Sequence, residues 1–237
     1  MLKVTHNTLE IFREGEIVRV EAYGPDVVRV RAAAARMKSQ DWTLLKPADA
    51  EVQIRKEENG YTLQNGTISA KVTKDGQISF WNQKGELLLK ELWQSERDLD
   101  ARKLKGRTGD LFYIEQCFHA VEGEHFYGLG QEAHDLFDLK GAVLDLCQQN
   151  TKSTIPFVIS SKGYGFLWNN PAIGRVEFGT SRTRWVAEAA SQLDYLVIGG
   201  DLPSEIEKNY CKITGYAPEL PMWATGLWQS KLRYESQ

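Results

Sequence analysis

Residues 16–31 read EIVRVEAYGPDVVRVR and give the clearest indication of how this chain folds. Apolar and polar side chains alternate on both sides of Gly24-Pro25, which is the pattern of two half-buried β-strands joined by a turn. Three further dipeptides, Asn59-Gly60, Asn65-Gly66 and Asp75-Gly76, tolerate the positive φ angles that hairpin turns require. The sequence therefore predicts antiparallel strands connected by tight turns.

The same alternation recurs along much of the chain and predicts more short strands. These strands are Tyr61–Gln64, Thr67–Thr73, Gln77–Trp81, Glu86–Lys90, Leu111–Val121, Val143–Cys147, Ile155–Ser160, Gly165–Asn169, Arg175–Phe178, Arg184–Ala189 and Gln192–Ile198. Charged and small residues dominate between Leu92 and Asp110, where we expect a long surface loop. Many strands at this spacing favour an all-β, antiparallel β-sandwich over a fold of alternating strands and helices.

A single short helix is predicted after the last of these strands. Asp201 is placed to accept hydrogen bonds from the first turn, Pro203 fits a first-turn position, and Gly215 provides a stop. Ile206 and Ile213 fall on one face of such a helix, which would pack on the sandwich.

Residues 223–228, WATGLW, follow a linker that contains Pro218 and Pro221 and read as one more strand, apolar on both faces. A strand of this kind belongs in a parallel sheet, and the residues up to Gln237 do not encode one. We therefore expect three segments: a sandwich domain over residues 1–200, a helix and Pro-rich linker over 201–221, and the start of a truncated second domain over 222–237.

Composition argues against several classes of partner. The formal net charge of −3 gives no reason to expect nucleic acid or an anionic membrane as a partner. No apolar run is long enough to span a membrane, and the first residues lack the apolar core of a signal peptide. Three dispersed cysteines, Cys117, Cys147 and Cys211, favour a reduced, cytoplasmic chain. The four histidines show no metal-ligand spacing, so we expect no metal and no cofactor.

Four segments together resemble the landmarks of glycoside hydrolase family 31, the α-glucosidases and α-xylosidases, in that family's order and spacing. They are EHFYGLGQ at 124–131, IPFVISSKGYGFLWNNP at 155–171, LVIGGDLPSE at 196–205 and GYAPELPMWATGLWQS at 215–230. The resemblance implies an N-terminal galactose-mutarotase-like supersandwich that leads through a short helix into a (β/α)₈ catalytic barrel. Gly226–Ser230 resembles the first barrel strand, so the predicted fold ends in a stub of that strand.

The same resemblance implies a retaining hydrolase that acts on the O-glycosyl bonds of α-glucosides or α-xylosides. Such enzymes use two carboxyl groups, which in this family are Asp residues on later barrel strands. None of the acids here matches those motifs: Asp110, Asp135, Asp138, Asp145 and Asp194. We therefore assign no catalytic residue and expect this chain alone to be inactive, whereas the parent protein would be an enzyme.

The family also implies a substrate contact from the sandwich, because one of its loops reaches over the barrel mouth. By position that loop lies between Leu146 and Lys152, and a stretch after the first barrel strand also borders the pocket. The predicted substrate-binding residues are Gln148, Gln149, Asn150, Leu232, Arg233 and Tyr234. Amide side chains both donate and accept, as sugar hydroxyls require. Many relatives carry an Asp or Arg-Asp pair in this loop, and this sequence does not.

Two other functions remain open, a free-standing carbohydrate-binding module and, with less support, an aldose mutarotase, which needs a His/Glu acid–base pair. The expected partners are a barrel domain and its oligosaccharide or glycoside substrate. Trp223, Leu227 and Trp228 would be uncovered without the barrel, so self-association through this segment is a further expectation.

Overall fold

A computed structural model describes residues 2–13, 15–39, 41, 43–93, 101–132 and 134–229 of the 237-residue chain. Strands dominate these residues, together with one α-helix, α1 (Pro203–Thr214). The strands are β1 (Leu2–Val4), β2 (Thr8–Arg13), β3 (Glu16–Ala22), β4 (Val27–Ala33), β5 (Val52–Glu57), β6 (Gly60–Asn65), β7 (Ile68–Thr73), β8 (Ile78–Asn82), β9 (Leu87–Lys90), β10 (Arg102–Gly106), β11 (Phe112–His119), β12 (Phe126–Gln131), β13 (Val143–Leu146), β14 (Ser153–Ser160), β15 (Tyr164–Trp168), β16 (Gly174–Phe178), β17 (Arg182–Ala190) and β18 (Leu193–Gly199). Within these described ranges, no helix is long and apolar enough to cross a membrane.

The strands form three antiparallel sheets. An eight-stranded sheet has the order β1-β2-β3-β4-β18-β15-β14-β12, and two five-stranded sheets have the orders β5-β6-β7-β8-β9 and β10-β11-β17-β16-β13. The two smaller sheets meet edge to edge, where Glu91 forms an antiparallel bridge with Phe118. Buried apolar side chains from all three sheets make one continuous core. The predicted antiparallel β-sandwich is therefore confirmed.

The central strands β4 and β18 are buried on both faces. Val28 and Val197 point into the core between the sheets, whereas Leu196 and Ile198 contribute to a second apolar cluster under helix α1. Burial on both faces explains why residues 195–198 of β18, YLVI, are all apolar or aromatic and do not alternate with polar residues.

Helix α1 covers this second cluster. Ile206 and Ile213 are buried, as predicted. The expected cap by Asp201 is wrong: the carboxylate of Glu205 instead accepts hydrogen bonds from the backbone N–H groups of Asp201 at 2.9 Å and Leu202 at 3.2 Å. A Glu three residues into a helix can reach back to these free N–H groups and replace an N-cap side chain. Gly215, with φ 104°, ends the helix as expected.

The described part of the C-terminal segment differs from the predicted barrel strand. Met222–Thr225 forms a single 3₁₀ turn, and Trp223 and Trp228 are 72% and 67% exposed. A strand needs a neighbouring strand to satisfy its backbone groups, and within the described ranges no strand pairs with this segment. Residues 230–237, which complete the predicted stub, lie outside the described residues.

A strand also lies where a surface loop was expected. β10 occupies residues 102–106 of the predicted 92–110 loop and pairs with β11 at the edge of its sheet. Charged residues such as Lys103 and Lys105 suit an edge strand, but they hide it from a search for apolar alternation. The expectation of a continuous loop is therefore wrong over this strand.

A buried charged cluster joins the three sheets, and we call Glu16, Glu91 and Arg102 the junction cluster. The guanidinium of Arg102 lies 2.5 Å from the Glu91 carboxylate and 3.0 Å from that of Glu16. The other Glu91 oxygen accepts from the backbone N–H of Ile78 at 2.9 Å. Burial raises the pKa of Glu91, and the charge of Arg102 opposes that shift. Glu16 belongs to the large sheet, Arg102 to one small sheet, and Glu91 follows the last strand of the other.

Replacing Arg102 by Met should destabilise the fold by about 3–5 kcal/mol at neutral pH, because it leaves the Glu91 carboxylate buried without its cation. The double variant Glu91→Gln/Arg102→Met should lose less, since no uncompensated charge remains at Glu91. Guanidinium unfolding curves measure both free energies of unfolding, with Arg55→Met on the exposed strand β5 as the control.

The cost of Arg102→Met should also shrink as the pH falls. The pKa of Glu91 is raised in the folded state, so folding favours its protonated form. The penalty for burying its unpaired carboxylate therefore decreases as the pH falls towards the pKa of Glu in the unfolded chain, about 4.3. Two results would show that the cluster is not a coupled unit. One is a loss of unfolding free energy in Arg102→Met that is independent of pH. The other is a loss in the double variant equal to the sum of the losses in Glu91→Gln and Arg102→Met.

Candidate functional site

The predicted substrate loop is a tight turn between two strands of different sheets. β13 ends at Leu146 and β14 begins at Ser153, so residues 147–152, here called the 147–152 turn, connect a small sheet with the large one. Gln149 and Lys152 form an isolated antiparallel bridge. Thr151 adopts a left-handed backbone conformation with φ 69°.

The three predicted amide side chains of this turn have different environments. The side chain of Gln148 is held by the backbone of Thr154: its Nε2 donates to the Thr154 carbonyl at 2.6 Å, and its Oε1 accepts from the Thr154 N–H at 3.1 Å. Gln149 and Asn150 are exposed, and their side-chain amides make no hydrogen bond to any other described residue. Gln148 therefore fixes the turn, whereas Gln149 and Asn150 are available to a ligand.

An ion pair lies against the turn. Lys152 Nζ is 2.8 Å from a carboxylate oxygen of Glu132, and both side chains are largely buried. The same Nζ donates to the backbone carbonyl of Asp145 at 2.6 Å. The Thr154 hydroxyl lies 3.2 Å from the other Glu132 oxygen and 3.1 Å from the Cys147 carbonyl, and can donate to either.

Two glycines bring Glu132 to this position. Gly128 and Gly130 have φ angles of 135° and 85°, and the pairing of β12 with β14 is irregular between them. A Cβ on Gly130 would lie only 2.3 Å from the Ser153 carbonyl oxygen. The positive φ angles and the close backbone contact therefore require glycine at these two positions.

Replacing Gly130 by Ala should cost at least about 2 kcal/mol of unfolding free energy, because both the φ angle and the backbone contact forbid a side chain. Gly123→Ala is a matched control, since Gly123 also has a positive φ of 64° but a Cβ added there would meet nothing within 4 Å. Thermal unfolding compares the two variants, and equal losses would mean that the contact with Ser153 carries no weight.

A cleft of about 1020 Å³ borders the turn. The residues that line it include Gln148 of the turn and Tyr210 and Thr214 of α1. Most polar side chains of the cleft wall already have partners within the fold. Gln192 exchanges two hydrogen bonds with the backbone of Lys38, at 2.8 and 3.3 Å. Asn169 donates to Asp194 at 2.9 Å and accepts from the Thr43 hydroxyl. The wall therefore offers mainly apolar surface.

Two of the carboxylates considered for catalysis, Asp194 and Asp138, are engaged in structural contacts. Asp194 is buried against the guanidinium of Arg29, 2.9 Å from its Nε; burial raises the pKa of Asp194, and the Arg29 hydrogen bond opposes the shift. Asp138 binds His125 Nδ1 at 2.6 Å. Desolvation works to raise the pKa of Asp138, but hydrogen bonds from His125 and the backbone lower it overall. Over the described part of the chain, no group of three or more His, Cys, Asp or Glu side chains is placed to hold a metal.

Comparison with known proteins reveals a family match. Residues 17–177 match the glycosyl hydrolase 31 N-terminal galactose mutarotase-like domain. The chain belongs to this family. It is 39% identical to an uncharacterized family 31 glucosidase of Pseudescherichia vulneris over 98% of its own length and 47% of the relative's. It is 35% identical to an α-xylosidase of Saccharolobus solfataricus, over 93% of this chain and 31% of the relative.

A solved relative has the same fold. The crystal structure of a family 31 α-xylosidase from a soil metagenome, complexed with xylose, superposes with a TM-score of 0.94 at 38% identity, covering 99% of this chain and 37% of that one. The family 31 domain described here thus spans less than half the length of these relatives, which are larger proteins.

The sequence predicts a substrate role for residues of the 147–152 turn, which stays a prediction, and it does not reveal the contacts that hold the turn. Leu232, Arg233 and Tyr234 lie outside the described residues, so their predicted role stays a prediction. The sequence marks Lys152 only as the boundary of the predicted loop, and it predicts no role for Glu132. Nothing in the local sequence pairs these two residues, because they lie twenty positions apart and meet only through the pairing of β12 with β14.

Proposed function

We propose that this domain serves an α-xylosidase or α-glucosidase, in which it supports a (β/α)₈ catalytic barrel and borders the substrate pocket with the 147–152 turn. The catalytic carboxyl groups would belong to the barrel. In this proposal residues 1–200 form the sandwich, 201–221 the helix and linker, and 222–237 the beginning of the barrel.

The observation that carries the proposal is the presence of two free amide side chains on a turn that is otherwise held by internal hydrogen bonds. Its framework is closed by internal hydrogen bonds, yet the exposed amides of Gln149 and Asn150 have no described partner. A sugar presents hydroxyl groups that both donate and accept, and amides complement both. The side chains are also neutral, which suits an uncharged glycoside.

The exposed apolar segment after the linker supports a covering domain. Trp223, Leu227 and Trp228 are 72%, 99% and 67% exposed. At roughly 25 cal/mol per Å² of apolar area, covering side chains of this size contributes several kcal/mol. A barrel that begins at this segment would provide that cover.

The isolated chain should not hydrolyse 4-nitrophenyl α-xyloside or α-glucoside above a buffer control. A chimera in which this chain replaces the matching N-terminal portion of the soil-metagenome α-xylosidase should hydrolyse the xyloside. In that chimera, Gln149→Ala/Asn150→Ala should raise KM by about five- to thirtyfold, because each neutral hydrogen bond contributes about 0.5–1.5 kcal/mol.

Gln53→Ala serves as the control, since Gln53 is an exposed amide on β5, far from the turn in the sheet order. Turnover by the isolated chain would contradict the assignment of catalysis to a barrel. An unchanged KM in the turn variant would contradict its role in the pocket. Calorimetric titration of the isolated chain with isomaltose and a xyloside distinguishes a free-standing carbohydrate-binding module, which would bind at millimolar concentration or tighter.

A further inference from the structure

We propose that Lys152 and Glu132 are positioning residues for substrate binding: their largely buried ion pair holds the 147–152 turn in the conformation that presents Gln149 and Asn150 to the sugar. This inference rests on the proposed function, because it deepens the role of the same turn. It adds residues that do not touch the substrate themselves.

Lys152 closes the turn through two hydrogen bonds. Its ammonium group binds the carbonyl of Asp145, near the end of β13, at 2.6 Å, and its backbone N–H bonds to the carbonyl of Gln149 at 3.2 Å. Lys152 therefore binds both the incoming strand and the first half of the turn. Gln149 and Asn150 lie between Asp145 and Lys152 in the chain.

Glu132 anchors Lys152 from beneath. Glu132 follows β12, and its side chain is only 6% exposed. Its carboxylate pairs with Lys152 at 2.8 Å and lies within hydrogen-bond distance of Thr154, the residue whose backbone holds Gln148. The ion pair and the Gln148 contacts thus converge on the first residues of β14.

Ion pairs within the sheets have a different setting. Arg184 of β17 pairs with Glu177 of β16, and Glu177 also pairs with Arg175 two residues earlier in β16. These pairs join residues within regular strands, which the backbone hydrogen bonds already fix. The Lys152–Glu132 pair instead connects two irregular segments, where no ladder defines the conformation.

Because the pair is largely buried, the loss of one partner costs more than it would on the surface. A salt bridge in water contributes little because solvent competes for both charges, whereas removing one partner of a buried pair leaves an uncompensated charge. Lys152→Met should therefore release Glu132 towards solvent and loosen the turn. Lys152→Arg keeps the cation and can still pair with the carboxylate.

The test uses the chimera with the soil-metagenome α-xylosidase and 4-nitrophenyl α-xyloside. Lys152→Met should raise KM about five- to tenfold, the loss expected when about one neutral hydrogen bond to the sugar is no longer positioned, while kcat stays within about twofold. Lys152→Arg should restore most of the affinity. Hydrogen exchange on the 237-residue chain should show faster exchange of the amides at 148–154 in Lys152→Met.

Lys103→Met is the matched control, because Lys103 forms a comparable pair with Glu115 at 3.3 Å between β10 and β11, at the far edge of the small sheet that contains β13. It should change neither KM nor exchange at the turn. If Gln149→Ala/Asn150→Ala raises KM and Lys152→Met does not, the positioning role is wrong while the proposed function stands. If Gln149→Ala/Asn150→Ala leaves KM unchanged, the proposed function fails and the inference fails with it.

Discussion

The fold depends on a guanidinium group buried between two carboxylates. Arg102 and Glu91 are almost completely inaccessible to solvent, and Glu16 brings the large sheet to the same point. In the described part of the chain, the backbones of the two five-stranded sheets are joined by a short bridge at Glu91 and Phe118. The junction cluster adds bonds with strict geometry to that bridge, and a buried charge tolerates no other arrangement without a large penalty. It therefore specifies how the two small sheets align over the large one.

Burial decides which strands can be predicted from the sequence. Strands with one face in the core, such as β3, show plain alternation and are recognisable. Strand β18 is recognisable from its apolar residues 195–198, YLVI. Strand β10 escapes prediction because Arg102, its most buried residue, is charged, and its burial depends on Glu91, eleven positions away. Strand β12 escapes for another reason: its glycines replace the β-branched residues that mark a strand, although the backbone contacts with β14 require them.

The turn shows a similar division between what the sequence contains and what the fold decides. Its position follows from the family resemblance, and its polarity from the amide side chains themselves. The distinct role of Gln148 could not be predicted, because its partner is the backbone of Thr154, and backbone groups carry no signal in the sequence. The C-terminal segment is the converse case. Residues 223–228 have the composition of a strand, but a strand forms only where a neighbour supplies hydrogen bonds, and the described chain supplies none there.

The proposed role of the 147–152 turn requires a rigid backbone, because the free energies of sugar recognition are small. Each neutral hydrogen bond to a hydroxyl contributes about 1 kcal/mol, whereas ordering a single flexible residue costs about 1–2 kcal/mol of backbone entropy. Two amides on a disordered loop would therefore contribute less binding free energy than the ordering of that loop costs. Gln148 and Lys152 make their contacts inside the domain, so this entropy is lost when the sandwich folds and not when a ligand binds. A turn without charged ligand groups can contribute to affinity only if it is ordered beforehand, and a largely buried ion pair at its base provides that order.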